Sequence, residues 1–285
     1  MDAAVMATPG SDAAVADGAP AILDSAPADV FGGIVTLAMF ESGSNPCGLA
    51  YDHVAGRVWV YPCFGADILG FLPDGTASTP AARGGEMADD VDVDIAPKAF
   101  MLGQTLVAEG DLLFINGETA VADIHVVNKQ NGMTSMLATA FGGAHVVGGA
   151  YHAGRNSFFL VQDRVPGAQD GNRVAEIDLT TGQVLGSFQT TPDFVVNFGD
   201  LDVCQSTGHL FVVSSAERTI AEFTTQGTLV NKHPLPAGVT GAAGIDMNNS
   251  TGEAWIAGTN GTVWRLSVPC GPYGSSVGGA LSSDR

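Results

Sequence analysis

Charge is scarce in this chain: only 14% of its 285 residues are Asp, Glu, Lys or Arg, against roughly 25% in ordinary soluble domains. Basic residues are scarcest, 11 against 30 acidic ones, for a formal net charge of −19. So few cations leave no surface for neutralising phosphates, which excludes a nucleic-acid binder. Docking on anionic lipid is excluded for the same reason. Long apolar runs are missing too; the stretch Ile34 to Phe40 is too short to span a bilayer. The four cysteines, Cys47, Cys63, Cys204 and Cys270, form neither a CxxC pair nor a zinc-ligand spacing. No Gly-x-Ser-x-Gly elbow occurs, and the six histidines fall at unrelated places, so nucleophilic catalysis finds no support. Met1 is followed by Asp2, without the basic and apolar regions of a signal peptide.

What is abundant is glycine, 38 residues, and hydrophobic side chains, 45%. With so few Lys and Glu, this composition suits strands and turns better than helices. Residues 1–30 hold ten alanines, five aspartates and three prolines but no Lys or Arg. That is too little bulky apolar surface to offset the entropy of ordering, so the segment is expected to be a disordered spacer. It resembles the Asp/Ala/Pro tethers of exported bacterial proteins, lipoproteins above all. The resemblance implies an exported protein whose true start precedes Met1; a cytoplasmic protein with an idle extension is the alternative. Residues 271–285 read as a flexible Gly/Ser-rich tail.

Between these ends one pattern recurs. Its copies are Gly48-Leu-Ala-Tyr-Asp52 with Arg57-Val-Trp-Val60, Gly149-Ala-Tyr-His152 with Ser157-Phe-Phe-Leu-Val161, and Asp200-Leu-Asp-Val-Cys204 with Gly208-His-Leu-Phe-Val-Val213. Gly244-Ile-Asp-Met-Asn248 with Gly252-Glu-Ala-Trp-Ile256 is another, and the weakest is Gln104-Thr-Leu-Val-Ala108 with Asp111-Leu-Leu-Phe-Ile115. The second-strand centres Trp59, Leu113, Phe159, Phe211 and Trp255 are 54, 46, 52 and 44 residues apart, close to the ~40–50 residue period of propeller blades. Third strands follow at Asp67–Phe71, Ala122–Val127, Arg173–Ile177, Thr219–Phe223 and Thr262–Leu266, with turns such as Pro73-Asp74-Gly75 between strands.

The chain therefore reads as an all-β protein, a β-propeller of five four-stranded blades over residues 31–270. A sixth blade within residues 76–100 is the alternative. The last unit lacks a fourth strand after Val268, and Ile34–Phe40 is predicted to fill that place. Pairing about the first hairpin sets Cys47 opposite Pro62 and Cys63 opposite Pro46, which brings the two sulfurs within disulfide reach. Cys204 and Cys270 are poorer candidates for pairing.

The segment Asn45-Pro-Cys-Gly-Leu-Ala-Tyr-Asp52, with Arg57-Val-Trp-Val60 and Asp67-Ile-Leu-Gly-Phe-Leu-Pro-Asp-Gly75, is similar to an NHL-type repeat. Thr207–Ser214 with Ile220-Ala-Glu-Phe223 and Gly227 resembles the SdiA-regulated group of bacterial propellers. The likeness covers about residues 45–268 and implies the propeller fold. It departs where Tyr61-Pro62 and Gly258-Thr259 replace the usual Ala-Asp. The layout is also similar to the gluconolactonase-like propellers, which implies a metal-activated hydrolytic site on the top face.

That face gathers the loops before the inner strands, with Asn45, His145, Asn197 and Asp200, and those after the second strands, with Asp67, Asn116, Glu118, Asp163 and Glu217. A ligand site is expected at Asn45, Asp67, Glu118, His145, Asn197, Asp200 and Glu217. The run Asp89-Asp90-Val91-Asp92-Val93-Asp94 would put Asp90, Asp92 and Asp94 on one face of an extended segment, read here as a solvated acidic edge. Asp200 and those three are the candidate ligands for Ca²⁺; the main reading takes no cofactor. Because Asp200 has no carboxylate partner among Asn45, His145 and Asn197, the expectation is a non-catalytic monomer. Its top face would bind a protein, glycan or small ligand. The alternatives are a Ca²⁺-dependent hydrolase of the lactonase or phosphoesterase type, and a cytoplasmic scaffold.

Overall fold

The computed structural model describes residues 33–63, 67–82, 91–117, 121–127, 134–142, 145–163 and 172–271. The expected spacer at 1–30, nearly all of the expected 271–285 tail, Glu118 and Asp90 lie outside the described residues. The chain opens with β1 (Val35–Glu41). Blade one is β2 (Pro46–Asp52), β3 (Arg57–Pro62), β4 (Asp67–Phe71) and β5 (Ala77–Ala82). Blade two begins with β6 (Val91–Ile95), is interrupted by a small hairpin of β7 (Phe100–Leu102) and β8 (Thr105–Val107), and continues through β9 (Leu112–Asn116), β10 (Asp123–Val127) and β11 (Thr134–Ala138). Blade three is β12 (Val146–His152), β13 (Ser157–Gln162), β14 (Arg173–Asp178) and β15 (Val184–Gln189). Blade four is β16 (Gly199–Cys204), β17 (His209–Ser214), β18 (Thr219–Phe223) and β19 (Leu229–Pro234). Blade five comprises β20 (Ala242–Asn248), β21 (Glu253–Gly258) and β22 (Thr262–Ser267), with β1 as its outermost strand.

The protein is thus an all-β, five-bladed propeller closed by its N-terminal strand. β1 pairs antiparallel with β22 from Val35↔Ser267 to Glu41↔Thr262. Ser42 extends the closure, its N–H and hydroxyl both donating to the Gly261 carbonyl at 2.8 Å. Phe40 then buries its ring beside Phe71 and Trp255, at centroid distances of 5.0 and 6.4 Å. Each neighbouring pair of blades encloses its own apolar core, five in all, and Phe40 belongs to the one that joins blade five to blade one. Side chains of this size each contribute roughly 1.5–3 kcal/mol on full burial, so the seams hold the ring together.

Local signals place the inner hairpins. Those of blades one, three, four and five end in a left-handed residue before the second strand: Gly56, Asn156, Gly208 and Gly252, with φ of 63°, 52°, 74° and 74°. Glycine and asparagine are the residues that tolerate that region. In blade one the Asp52 carboxylate caps the turn, accepting from the N–H groups of Val54 and Ala55 at 3.1 and 2.8 Å.

Three expectations are corrected. The inner strand of blade two is β6, not Gln104–Ala108, whose Thr105–Val107 forms β8 of the inserted hairpin. That insertion lengthens the first repeat interval, and the described residues of 76–100 belong to β5 of blade one, β6 of blade two and the start of the insertion, with no further blade among them. The acidic run is not a solvated edge: Asp92 and Asp94 lie on the innermost strand and are 2% and 7% exposed. Finally, Cys204 and Cys270 are bonded to each other, with Cα atoms 5.8 Å apart, as are Cys47 and Cys63 at 4.9 Å. Blades four and five are neighbours, and the chain leaving β22 carries Cys270 to the end of β16.

Candidate functional site

The five inner strands run in the same direction around the axis, which gives the channel an upper mouth at their N-terminal ends and a lower mouth at their C-terminal ends. At the upper mouth the expected ligand set does not converge. The Asn45 carbonyl accepts from the Cys63 N–H, and the Asn197 backbone and amide hydrogen-bond with Ser214 and Ser215 inside their own loop. Glu217 donates its N–H to the Ser214 carbonyl, and Asp67 opens β4. His145, held at φ 50°, brings Nδ1 to 3.9 Å from the buried Asp163, which accepts from the Phe198 N–H. Asn116 is buried at the end of β9. The upper cavity, about 230 Å³, is walled mainly by apolar groups such as Pro46, Val147, Phe198 and Ala243.

The carboxylates gather deeper. The pairing of each inner strand with its neighbour aligns Gly48, Asp92, Gly148, Asp200 and Gly244 on one level, and Ala50, Asp94, Ala150, Asp202 and Asp246 on the next. On the first level the glycines make room for the acids. A Cβ at Gly148 would lie 1.8 Å from Asp200 Oδ1, and one at Gly48 would lie 2.7 Å from Asp92 Oδ1. Asp92 and Asp200 face each other across the axis, and after burial the charge of Asp200 is the largest influence holding the Asp92 carboxyl above its ordinary range. The expectation that Asp200 stands alone is therefore wrong, because its partner comes from a strand that the repeat had misplaced.

These acids also tie blade four to five, five to one and two to three. Asp200 Oδ2 accepts from the Ile245 N–H at 2.8 Å, Asp202 Oδ2 from Met247 at 2.5 Å and Asp246 Oδ2 from Tyr51 at 2.9 Å. Asp94 accepts from Tyr151 in the same way. Burial nonetheless holds all five carboxyls above the ordinary range. The charges of Asp200 and Asp94 add to the effect at Asp92, that of Asp202 at Asp94, and those of Asp202 and Asp94 at Asp246. Burial likewise raises Asp200, against the N–H groups of Ile245 and Leu201. Asp202 is raised to about 7, burial outweighing the N–H groups of Val203 and Met247.

Asp94, Asp202 and Asp246 form the floor of a cavity of about 200 Å³ at the lower mouth. Tyr51, Tyr151 and Met247 stand beside them, with His53, Lys98 and Glu109 also lining it. The insertion in blade two straps this mouth. His53 Nε2 lies 3.2 Å from Glu109, the Lys98 ammonium donates to the Ala153 carbonyl at 3.1 Å, and Phe100 stacks on Tyr151 at 4.0 Å. Gln205 knits the far side, accepting from the Ala153 N–H and donating to the Tyr151 carbonyl.

A calcium ion needs roughly 6–8 converging oxygen ligands. Here both Asp200 oxygens and both Asp202 oxygens already accept backbone N–H groups. No group of three or more His, Cys, Asp or Glu side chains among the described residues is disposed to hold a metal ion. The donor set does not fit the group that the gluconolactonase-like layout implied. Asp202 and Asp246 escaped the sequence reading, although a signal was present: both are acids at a repeat position that is alanine at residues 50 and 150.

No known family profile matches the chain, and no curated protein matches it. Solved structures do. The Myxococcus xanthus glutaminyl cyclase is 11% identical over 82% of this chain and 95% of that one, with a TM-score of 0.54. A gluconolactonase from Xanthomonas campestris is 14% identical over 88% and 98%, with a TM-score of 0.52. A streptogramin B lyase is 16% identical over 78% of this chain; the chain spans 65% of that protein, with a TM-score of 0.45. At these identities the likeness establishes the β-propeller fold. It also overturns the expectation of a non-catalytic binding propeller, since the first two similar structures carry enzyme names. The premise of that expectation, an isolated Asp200, has already failed. Among the described residues no helix is long and apolar enough to cross a membrane.

Proposed function

We propose that this propeller is a hydrolase that opens, at the lower mouth of its channel, lactones or similar esters whose reacting group is uncharged. The observation that carries the reading is the convergence of Asp94, Asp202 and Asp246 on the floor of one cavity, with Asp202 raised to about 7. Perturbed carboxyls in a concave site are the usual mark of acid–base machinery. One carboxyl kept protonated donates to the ester oxygen that leaves. A second, ionised, takes a proton from water as its oxygen attacks the carbonyl carbon. The C–O bond breaks, and the product is the hydroxy acid. Of the two hydrolase types considered, the lactonase fits better, because a phosphoester dianion would meet an acidic floor in a chain of net charge −19.

Use of all four cysteines in two disulfides favours an exported protein. Kinship with NHL-type repeats is part of the same proposal, supported by Pro46, Gly48, Ala50 and Asp52. The test is hydrolysis of a lactone panel by the wild type, Asp202→Asn and Asp246→Asn, each checked for retained folding. Acid–base roles predict a fall in kcat of about 10²-fold or more, with rates indifferent to added calcium or chelator. Full activity in both folded variants, or activity abolished by chelator, would overturn the reading.

A further inference from the structure

The polar side chains of the lower cavity divide into those already committed and those left for a ligand. Asn249 accepts from the Gln205 N–H at 2.8 Å and donates to the Val203 and Met247 carbonyls at 3.2 Å. The Gln205 amide bonds the backbone of Tyr151 and Ala153, and the Ser250 hydroxyl donates to Asn248 at 2.6 Å. His53 is turned to Glu109. What remains is the floor, where Asp94, Asp202 and Asp246 keep acceptor capacity beyond their backbone N–H bonds, the Tyr51 hydroxyl and, on the strap, the exposed ammonium of Lys98, the one Lys or Arg lining this cavity among the described residues. One of its three N–H groups goes to the Ala153 carbonyl, and the others are available. Its ammonium also sits 5.9 Å from the centre of the Tyr151 ring, which anchors its stem at the rim.

The cavity is therefore acidic at depth, and at its rim the Lys98 ammonium stands apart from the His53–Glu109 pair. A ligand that fills it presents a neutral end bearing hydroxyl donors inward and an anionic group outward. We infer that Lys98 is a specificity-determining residue, selecting lactones that carry a carboxylate on the side away from the reacting ester. This rests on the hydrolase reading and adds the substrate's charge to it. In a chain so acidic, a single cation at the mouth decides whether such an anion is held or repelled.

The experiment compares two lactones that differ only in a carboxylate against its methyl amide, with wild type, Lys98→Ala and Lys98→Arg. The wild type is expected to show a KM about fivefold lower for the carboxylate, a ratio that falls to about one in Lys98→Ala and survives in Lys98→Arg. A wild-type ratio near one, or a ratio unchanged in Lys98→Ala, overturns the assignment. If neither lactone is hydrolysed, calorimetry with the same unopened pair separates the two claims. Tighter binding of the carboxylate, lost in Lys98→Ala, upholds Lys98 while the hydrolase reading falls. No binding, or binding without preference, overturns both.

Discussion

Burying five aspartates in one channel has a thermodynamic consequence that Asp202 makes measurable. Its carboxyl ionises near 3.8 in ordinary surroundings and at about 7 in the folded protein. A folded state that keeps a proton which the unfolded chain releases is favoured at low pH. The stability is fully present below about pH 4, declines as pH rises, and is lost by about pH 7. At about 1.4 kcal/mol per pH unit, this one group accounts for about 4 kcal/mol, a large share of the ~5–15 kcal/mol of a typical domain. For a domain of this size, that lowers Tm by roughly 8–16 °C. Glu176, held below the ordinary range by Arg155 and Ser157 against its burial, acts in the opposite sense but titrates at lower pH. Within the window from pH 4.5 to 7.5 His152, lowered by its burial, opposes the raised carboxyls, because the unfolded chain binds a proton that the folded one sheds; the difference between wild type and Asp202→Asn isolates Asp202. Calorimetric scans across that window should show Tm falling steadily. Asp202→Asn should flatten the slope: Tm falls below wild type at pH 4.5, since one amide oxygen cannot serve both the Val203 and Met247 N–H groups, at about 1–3 kcal/mol, and rises above wild type near pH 7.5, where wild type has lost about 4 kcal/mol. A level wild-type Tm, or the same slope in the variant, would refute the argument.

Removal of residues 1–30 should leave Tm nearly unchanged, whereas removal of 1–41 takes away β1 and Phe40 and should give a sharp loss of Tm or insoluble protein. Gly148→Ala should displace the Asp200 carboxyl and destabilise the fold by about 2 kcal/mol or more, read by urea denaturation. Replacing Cys204 and Cys270 by serine frees a 66-residue loop and should cost about 4 kcal/mol on the chain-entropy account. The same exchange at Cys47 and Cys63, which close 16 residues, should cost about 3 kcal/mol.

The blade architecture was legible because each blade repeats the same strand and turn chemistry: bulky second strands at Trp59, Phe159, Phe211 and Trp255, and glycine or asparagine where φ turns positive. The closing strand was legible too, since Ile34–Phe40 had no other partner. Blade two defeated the reading at one point. Its inner strand carries Asp92 and Asp94 where blades one and three carry glycine and alanine, so alternation suggested a solvated face, and the apolar hairpin Thr105–Val107 stood in for it. The misplacement hid the Asp92–Asp200 pair, which exists only because blades two and four face each other across the axis. Carboxyls that meet through ring closure leave no spacing in the sequence. The Cys204–Cys270 bond was missed for the same reason, as it joins adjacent blades through a chain end beyond the last strand.

The most direct measurement of the central claim is the crystal structure of the protein with a hydroxy-acid product bound. The account predicts the product at the lower mouth, within hydrogen-bond reach of Asp202 and Asp246 and beneath the strap that carries Lys98. A product bound instead in the upper cavity beside Asn45 and Phe198, with the lower mouth empty, would contradict it.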